Sequence, residues 1–215
     1  MCQSRYENRF IIKYADDSVI VSLLKEGETS YGPVTDDFVT WCEESYLQLN
    51  ISKTKDMVID FSKQQNGHGV TFIKGQKIEQ MQSYKYLGTI INEKLNLDEN
   101  CKSVCKKGHR HLFCLRKLAH FQIDQKFVTL FYRSVIESVL SFCLVAWFGQ
   151  NFVTEKNSLN QIVRWSSRMT GESQSRLASL YSKQVQRMSL SILKNGSHPL
   201  RSEFQLLSLG RRFLV

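Results

Sequence analysis

Two adjacent aspartates, Asp16 and Asp17, stand between short β-rich runs, Arg9-Phe-Ile-Ile-Lys-Tyr14 and Ser18-Val-Ile-Val-Ser22. Neighbouring carboxylates repel, and Asn or Gly serves a turn equally well, so the pair carries a cost that a plain turn avoids. A divalent cation removes that cost: Mg2+ is held by one or two carboxylates together with substrate phosphates. The plain alternative is a solvated Asp-Asp turn. A second group is soft. Cys101, Cys105 and His109 lie at i, i+4 and i+8, near His111 and Cys114, so a helix stacks the first three on one face. Zinc sites more often pair ligands across a turn and draw a second pair from elsewhere, so packed cysteines explain the spacing with less. His111, His120 and His198 are not followed two residues on by Asp or Glu, which leaves no H-x-D iron motif.

The third group is cationic. Between Cys101 and Ile123 there is no acid, but there are Lys102, Lys106, Lys107, Arg110, Arg116 and Lys117. Lys106, Arg110 and Lys117 fall close to one helical stripe, suited to tracking phosphates without reading sequence. Residues 156–215 add ten basic side chains and two acidic ones, among them Arg164, Arg168, Arg176, Arg187, Arg211 and Arg212. The alternative is an ordinary solvated helix face.

The elements that must position these groups form two halves. Residues 1–100 hold 11 basic and 15 acidic side chains, net −4; residues 101–215 hold 18 and 5, net +13. Such asymmetry predicts that the basic half meets a polyanion, nucleic acid first and an anionic membrane surface second. In the first half the aspartates predict a tight antiparallel hairpin. Thr35 reads as an N-cap, with Asp36 and Asp37 in the first turn. Phe38, Trp41, Cys42, Tyr46 and Leu49 then give one apolar face to a helix over 35–48. Short strands are expected at Asp56–Phe61, Val70–Ile73, Lys77–Ile78 and Tyr84–Ile91, with loops over Gly27–Pro33 and Gln64–Gly69. From Leu97 the periodicity predicts helices over 99–119, 124–148, 155–170 and 173–194. The expected class is α+β. With 42% hydrophobic residues in 215, the chain has material for a core. Its most apolar run, Val139–Gly149, is too short to span a bilayer and reads as a buried helix. Trp41, Trp147 and Trp165 read as core residues. The six cysteines, without a secretory leader, read as reduced thiols, and an intracellular location, nucleus or cytoplasm, is expected.

Tyr14-Ala15-Asp16-Asp17 resembles the Y-A-D-D form of the reverse-transcriptase active-site motif. Tyr46-Leu-Gln-Leu-Asn-Ile-Ser-Lys-Thr-Lys55 resembles the L-x-L-N-x-x-K-T palm pattern of LINE-type, non-LTR elements, and Tyr84-Lys-Tyr-Leu-Gly88 resembles the F-K-Y-L-G primer grip. The later text, including Phe131-Tyr132-Arg133-Ser134-Val135-Ile136, is similar to the thumb and C-terminal region of such elements in fish. The resemblance implies a partial palm over 1–96, thumb-like helices over 97–150 and a basic helical region over 151–215. It implies that Asp16 and Asp17 hold Mg2+ in two-metal nucleotidyl transfer, that Lys53 faces the departing pyrophosphate, and that Tyr86, Leu87 and Gly88 position the primer end. RNA template, DNA primer or their hybrid would be the partner, without membrane or small-molecule cofactor beyond nucleotide. In that family a further metal-binding aspartate and the fingers precede Y-A-D-D by more than the thirteen residues available here, so polymerisation by this chain alone is not expected. The helical stretch around 99–150 also resembles the segment labelled as an N-terminal-like domain of AlkB homologues, a dioxygenase/methyltransferase label whose catalytic residues are not visible. A non-catalytic nucleic-acid-binding remnant is the third reading.

Overall fold

A computed structural model of the chain describes residues 9–23, 32–61, 69–150 and 153–205. The expected loops over Gly27–Pro33 and Gln64–Gly69 lie largely outside these residues, and Arg211 and Arg212 lie wholly outside them. The class is α+β, with small separate sheets before residue 93 and helices after it. The chain divides into two compact units, residues 1–85 with 92–95, and residues 86–91 with 96–215.

In the first unit, β1 (Arg9–Tyr14) and β2 (Asp17–Ser22) pair antiparallel from Arg9↔Ser22 to Tyr14↔Asp17. Phe10, Ile12, Tyr14 and Val21 are exposed, so this two-stranded ribbon keeps an open apolar face. Helix α1 (Gly32–Glu44) buries Val34, Phe38 and Cys42. It starts three residues earlier than Thr35 suggested: Pro33 suits a first turn, and the Thr35 hydroxyl donates back to Gly32 O at 2.8 Å instead of capping. It also stops early, because Tyr46 turns to φ 55° and stands 98% exposed, off the face assigned to it. The strand expected over Asp56–Phe61 shrinks to β3 (Lys55–Asp56), which pairs parallel with β6 (Glu79–Gln80); β4 (Phe72–Ile73) and β5 (Gln76–Lys77) form a hairpin. Ile73 and Ile78 are buried, and Lys74 bridges Glu43 at 2.6 Å.

Strands β7 (Ser83–Tyr86) and β8 (Thr89–Asn92) form their own sheet, whose tip, Tyr86–Ile91, falls in the second unit. Helix α2 (Asp98–His120) follows, then α3 (Gln125–Phe131), a π-helical stretch Tyr132–Glu137 and α4 (Ser138–Ser141). The helix expected to continue through 148 breaks at Phe142–Cys143, where Cys143 adopts φ 48°, and resumes as α5 (Leu144–Trp147). Helices α6 (Val153–Thr170) and α7 (Leu177–Lys194) complete the unit. Its core gathers Leu112, Leu115, Tyr132, Ile136, Leu140, Leu144, Trp147, Leu159 and Ile162. Among the described residues, no helix is long and apolar enough to cross a membrane.

Candidate nucleic-acid interface

Helix α2 follows from its sequence at every level. Asp98 and Glu99 sit in the first turn and Lys117 and His120 in the last, each sign matched to the helix dipole. Cys101, Val104, Gly108, Leu112 and Leu115 recur at three- and four-residue spacing and are buried. At about 100° per residue, Lys102, Lys106, Lys117 and Arg110 then share an arc of about 80° on the opposite side, with Arg116 and Lys107 flanking it. Lys102, Lys106, Arg110, Arg116 and Lys117 are exposed and Lys107 is half-buried. The ion pairs among the described residues, Lys55–Glu79, Lys74–Glu43 and Arg133–Glu172, involve none of them. Five of the six sequence-predicted cations are therefore exposed, Lys107 is half-buried at the margin, and none has a carboxylate partner among the described residues.

The largest packing partner of α2 is α6. A Cβ on Gly108 would come within 2.8 Å of Ile162 Cδ1, so the missing side chain sets how closely the helices approach. Cys101 and Cys105 lie beside Glu155 and Ser158, Gly108 beside Ile162, and Arg116 beside Trp165, so both helices ascend together. Trp165 is 39% exposed, which corrects its assignment to the core. Trp147 is fully buried as expected, and Trp41 is half-buried with Lys13 Nζ 3.1 Å from its ring centroid. The Arg116 and Arg168 guanidinium carbons stand 6.0 and 5.4 Å from the Trp165 ring. On α2 itself, Phe113 is 58% exposed with Lys117 Nζ 5.6 Å from its ring. The basic run singled out half of this surface. The aromatic half was hidden because Trp165 sits one position off the buried set Leu159, Ile162, Val163 and Ser166, where periodicity alone does not tell margin from core.

Cys101, Cys105 and His109 do share one side of α2, lining an open groove of about 320 Å³ with Lys102, Thr154, Glu155 and Ser158. The Cys101 thiol donates to the Cys105 sulfur, which holds the Cys105 pKa below the usual thiol range; that bond and burial push Cys101 up. Among the described residues, no three His, Cys, Asp or Glu side chains come together as metal ligands.

The acidic pair occupies the tip of the β1–β2 ribbon: Ala15 and Asp16 form the turn and Asp17 opens β2. Ala15 alone has positive φ, 53°, a first central turn position where glycine is the usual occupant. Both carboxylates are exposed. As hard oxygen donors on one tight turn they suit Mg2+, whose remaining positions water and phosphate would fill. Lys53 closes a 3-10 turn, Ile51–Lys53, that Asn50 caps by accepting from Lys53 N at 3.2 Å; its side chain is exposed, and no contact joins it to Asp16 or Asp17. Leu87 (φ 44°) and Gly88 (φ 90°) make the β7–β8 turn, and a Cβ on Gly88 would meet Phe142 at 3.0 Å. Ile90 N donates to the buried Asn100 Oδ1 at 3.1 Å, fastening this hairpin to the start of α2.

A family model described as alkylated DNA repair protein alkB homolog 8, N-terminal, matches residues 97–138, about a fifth of the chain. The match covers α2, α3 and the π-helical stretch. No curated protein and no solved structure matches the chain.

Proposed function

We propose that the helical unit is a non-catalytic nucleic-acid-binding module, akin to the N-terminal segment of the AlkB-homologue family, that holds phosphate backbone along the exposed side of α2. The observation that carries this reading is the set of Lys102, Lys106, Arg110, Arg116 and Lys117, exposed, with half-buried Lys107 beside them and no carboxylate partner among the described residues, inside the segment the family model matches. The family's name ties that segment to a DNA-repair protein, which favours nucleic acid over an anionic membrane. Contacts from lysine and arginine to phosphate release counterions, so log K should fall against log[salt] with a slope of about −0.9 per phosphate on duplex DNA. Replacing Lys106, Lys107 and Arg110 by Gln together should make that slope shallower by about 2.7 and weaken all sequences alike. Fluorescence anisotropy against duplex DNA and RNA–DNA hybrid measures both. Affinity indifferent to salt, or one sequence outcompeting all others, would overturn it.

A second reading rests on a different observation, the acidic tip at Asp16–Asp17 in a registered hairpin and the Leu87–Gly88 turn fastened to α2. In this reading the chain is part of an RNA-directed DNA polymerase of LINE type, with Asp16 and Asp17 as Mg2+ ligands, Lys53 toward pyrophosphate and Tyr86–Gly88 along the primer. Mg2+ would supply charge for the attacking and leaving oxygens. Mn2+ broadening of the Asp16 and Asp17 resonances, lost in Asp16→Asn, tests the site without requiring turnover; unaffected resonances would exclude it.

A further inference from the structure

We infer that two exposed rings of the helical unit, Trp165 at the α2–α6 seam and Phe113 on the solvent side of α2, are stacking platforms for unpaired nucleobases, flanked by Arg116, Arg168 and Lys117, so that single-stranded nucleic acid is the preferred ligand. The inference rests on the nucleic-acid reading of the helical unit and names its substrate. Trp165 stands at the margin of the buried face of α6, and exposing 39% of an indole forfeits hydrophobic stabilisation. Two guanidinium groups stand near that one ring, although like charges repel and no acid of α6 lies closer than Glu155, at the other end of the helix. At 6.0 and 5.4 Å from the centroid, both are at the outer edge of cation–π range, where a ring in face contact would be nearer 4 Å. Neither guanidinium is in face contact with the indole. A base can slide onto it while the guanidiniums turn to the flanking phosphates. Phe113, exposed among the cations of α2 with Lys117 near its ring, repeats the arrangement. Exposed rings interleaved with cations are the recognition chemistry of single strands, since every base offers a π-face. A duplex, with bases stacked inside, leaves both rings unused.

The test titrates the full chain, by anisotropy, with oligothymidine, with an abasic oligonucleotide of equal phosphate number, and with duplex DNA. Oligothymidine should bind more tightly than the abasic strand by about 5-fold or more per stacked base, and should quench tryptophan emission. Trp165→Ala should erase most of the preference while leaving abasic binding unchanged; Trp165→Phe should keep much of the preference and lose the quenching. Circular dichroism checks that Trp165→Ala folds, and the wild-type comparison decides the matter if it does not. Equal affinity for oligothymidine and abasic strand, or tighter binding of duplex, overturns the platform and leaves backbone binding standing. Failure to bind any of the three overturns the backbone reading itself.

Discussion

Gly108→Ala probes the closest approach in the helical unit. In an open helix this change stabilises by about 1 kcal/mol through propensity. Here the new methyl would lie 2.8 Å from Ile162 Cδ1 and 3.4 Å from Leu140 Cδ2. The first distance is well inside van der Waals contact, and relieving such overpacking costs about 1–3 kcal/mol. The clash exceeds the propensity gain, so a net loss of about 1 kcal/mol is expected, or a fall in melting temperature of about 2–4 °C for a chain of this size. Ile162→Val deletes the offending Cδ1 and by itself costs about 0.5–1.5 kcal/mol. In the double variant the methyl faces only ordinary contacts, and its loss should fall short of the sum of the two single losses by about 1–2 kcal/mol. Urea unfolding followed by circular dichroism and by fluorescence supplies the cycle. A Gly108→Ala variant that gains the full propensity, or a double variant that is simply additive, would refute the packing argument.

Two further outcomes follow from single groups in the same unit. Asn100→Ala leaves the Ile90 N–H without its partner at 3.1 Å; a loss of about 1–3 kcal/mol is expected, with hydrogen exchange at Ile90 accelerated and that at Leu112 unchanged, and an unaltered Ile90 rate would refute the bond. Because Cys105 is held below and Cys101 above the usual thiol range, alkylation of Cys105 should set in at lower pH than that of Cys101 as pH is raised, and Cys101→Ala should move the Cys105 onset upward. Peptide-resolved mass spectrometry reads this, and an onset indifferent to Cys101→Ala would remove the hydrogen bond as its cause.

The readings that held are those in which one local signal had no competitor. The aspartates between two alternating runs gave the hairpin, and the charged ends and apolar stripe of α2 gave its limits to within a residue. Misreadings cluster where a tertiary contact or a backbone twist decides. Thr35 has the chemistry of a cap, but Pro33 lets the helix begin before it. Tyr46 fits the stripe of α1 by spacing, yet the chain leaves the helix at Glu44. The break at Phe142–Cys143 has no Gly or Pro to announce it; a left-handed cysteine makes it, with Trp147 Nε1 donating to the Phe142 carbonyl at 2.8 Å. Trp165 was illegible as a surface residue because its neighbours Arg116 and Arg168 come from two helices, one of them some fifty positions earlier in the chain.

The pairing of α2 with α6 also sets an order of events. The buried stripe of α2, from Cys101 to Leu115, finds its main cover in side chains between Leu159 and Thr170. On a ribosome, α2 is complete well before that cover has been made, and its apolar side must wait in the company of α3 and α4 or of a chaperone. The wait is bounded, since loop-closure entropy grows only with the logarithm of the intervening length. The segment matched by the family model ends at residue 138, ahead of α6 altogether. In this chain the matched segment therefore takes its largest packing partner from outside its own limits.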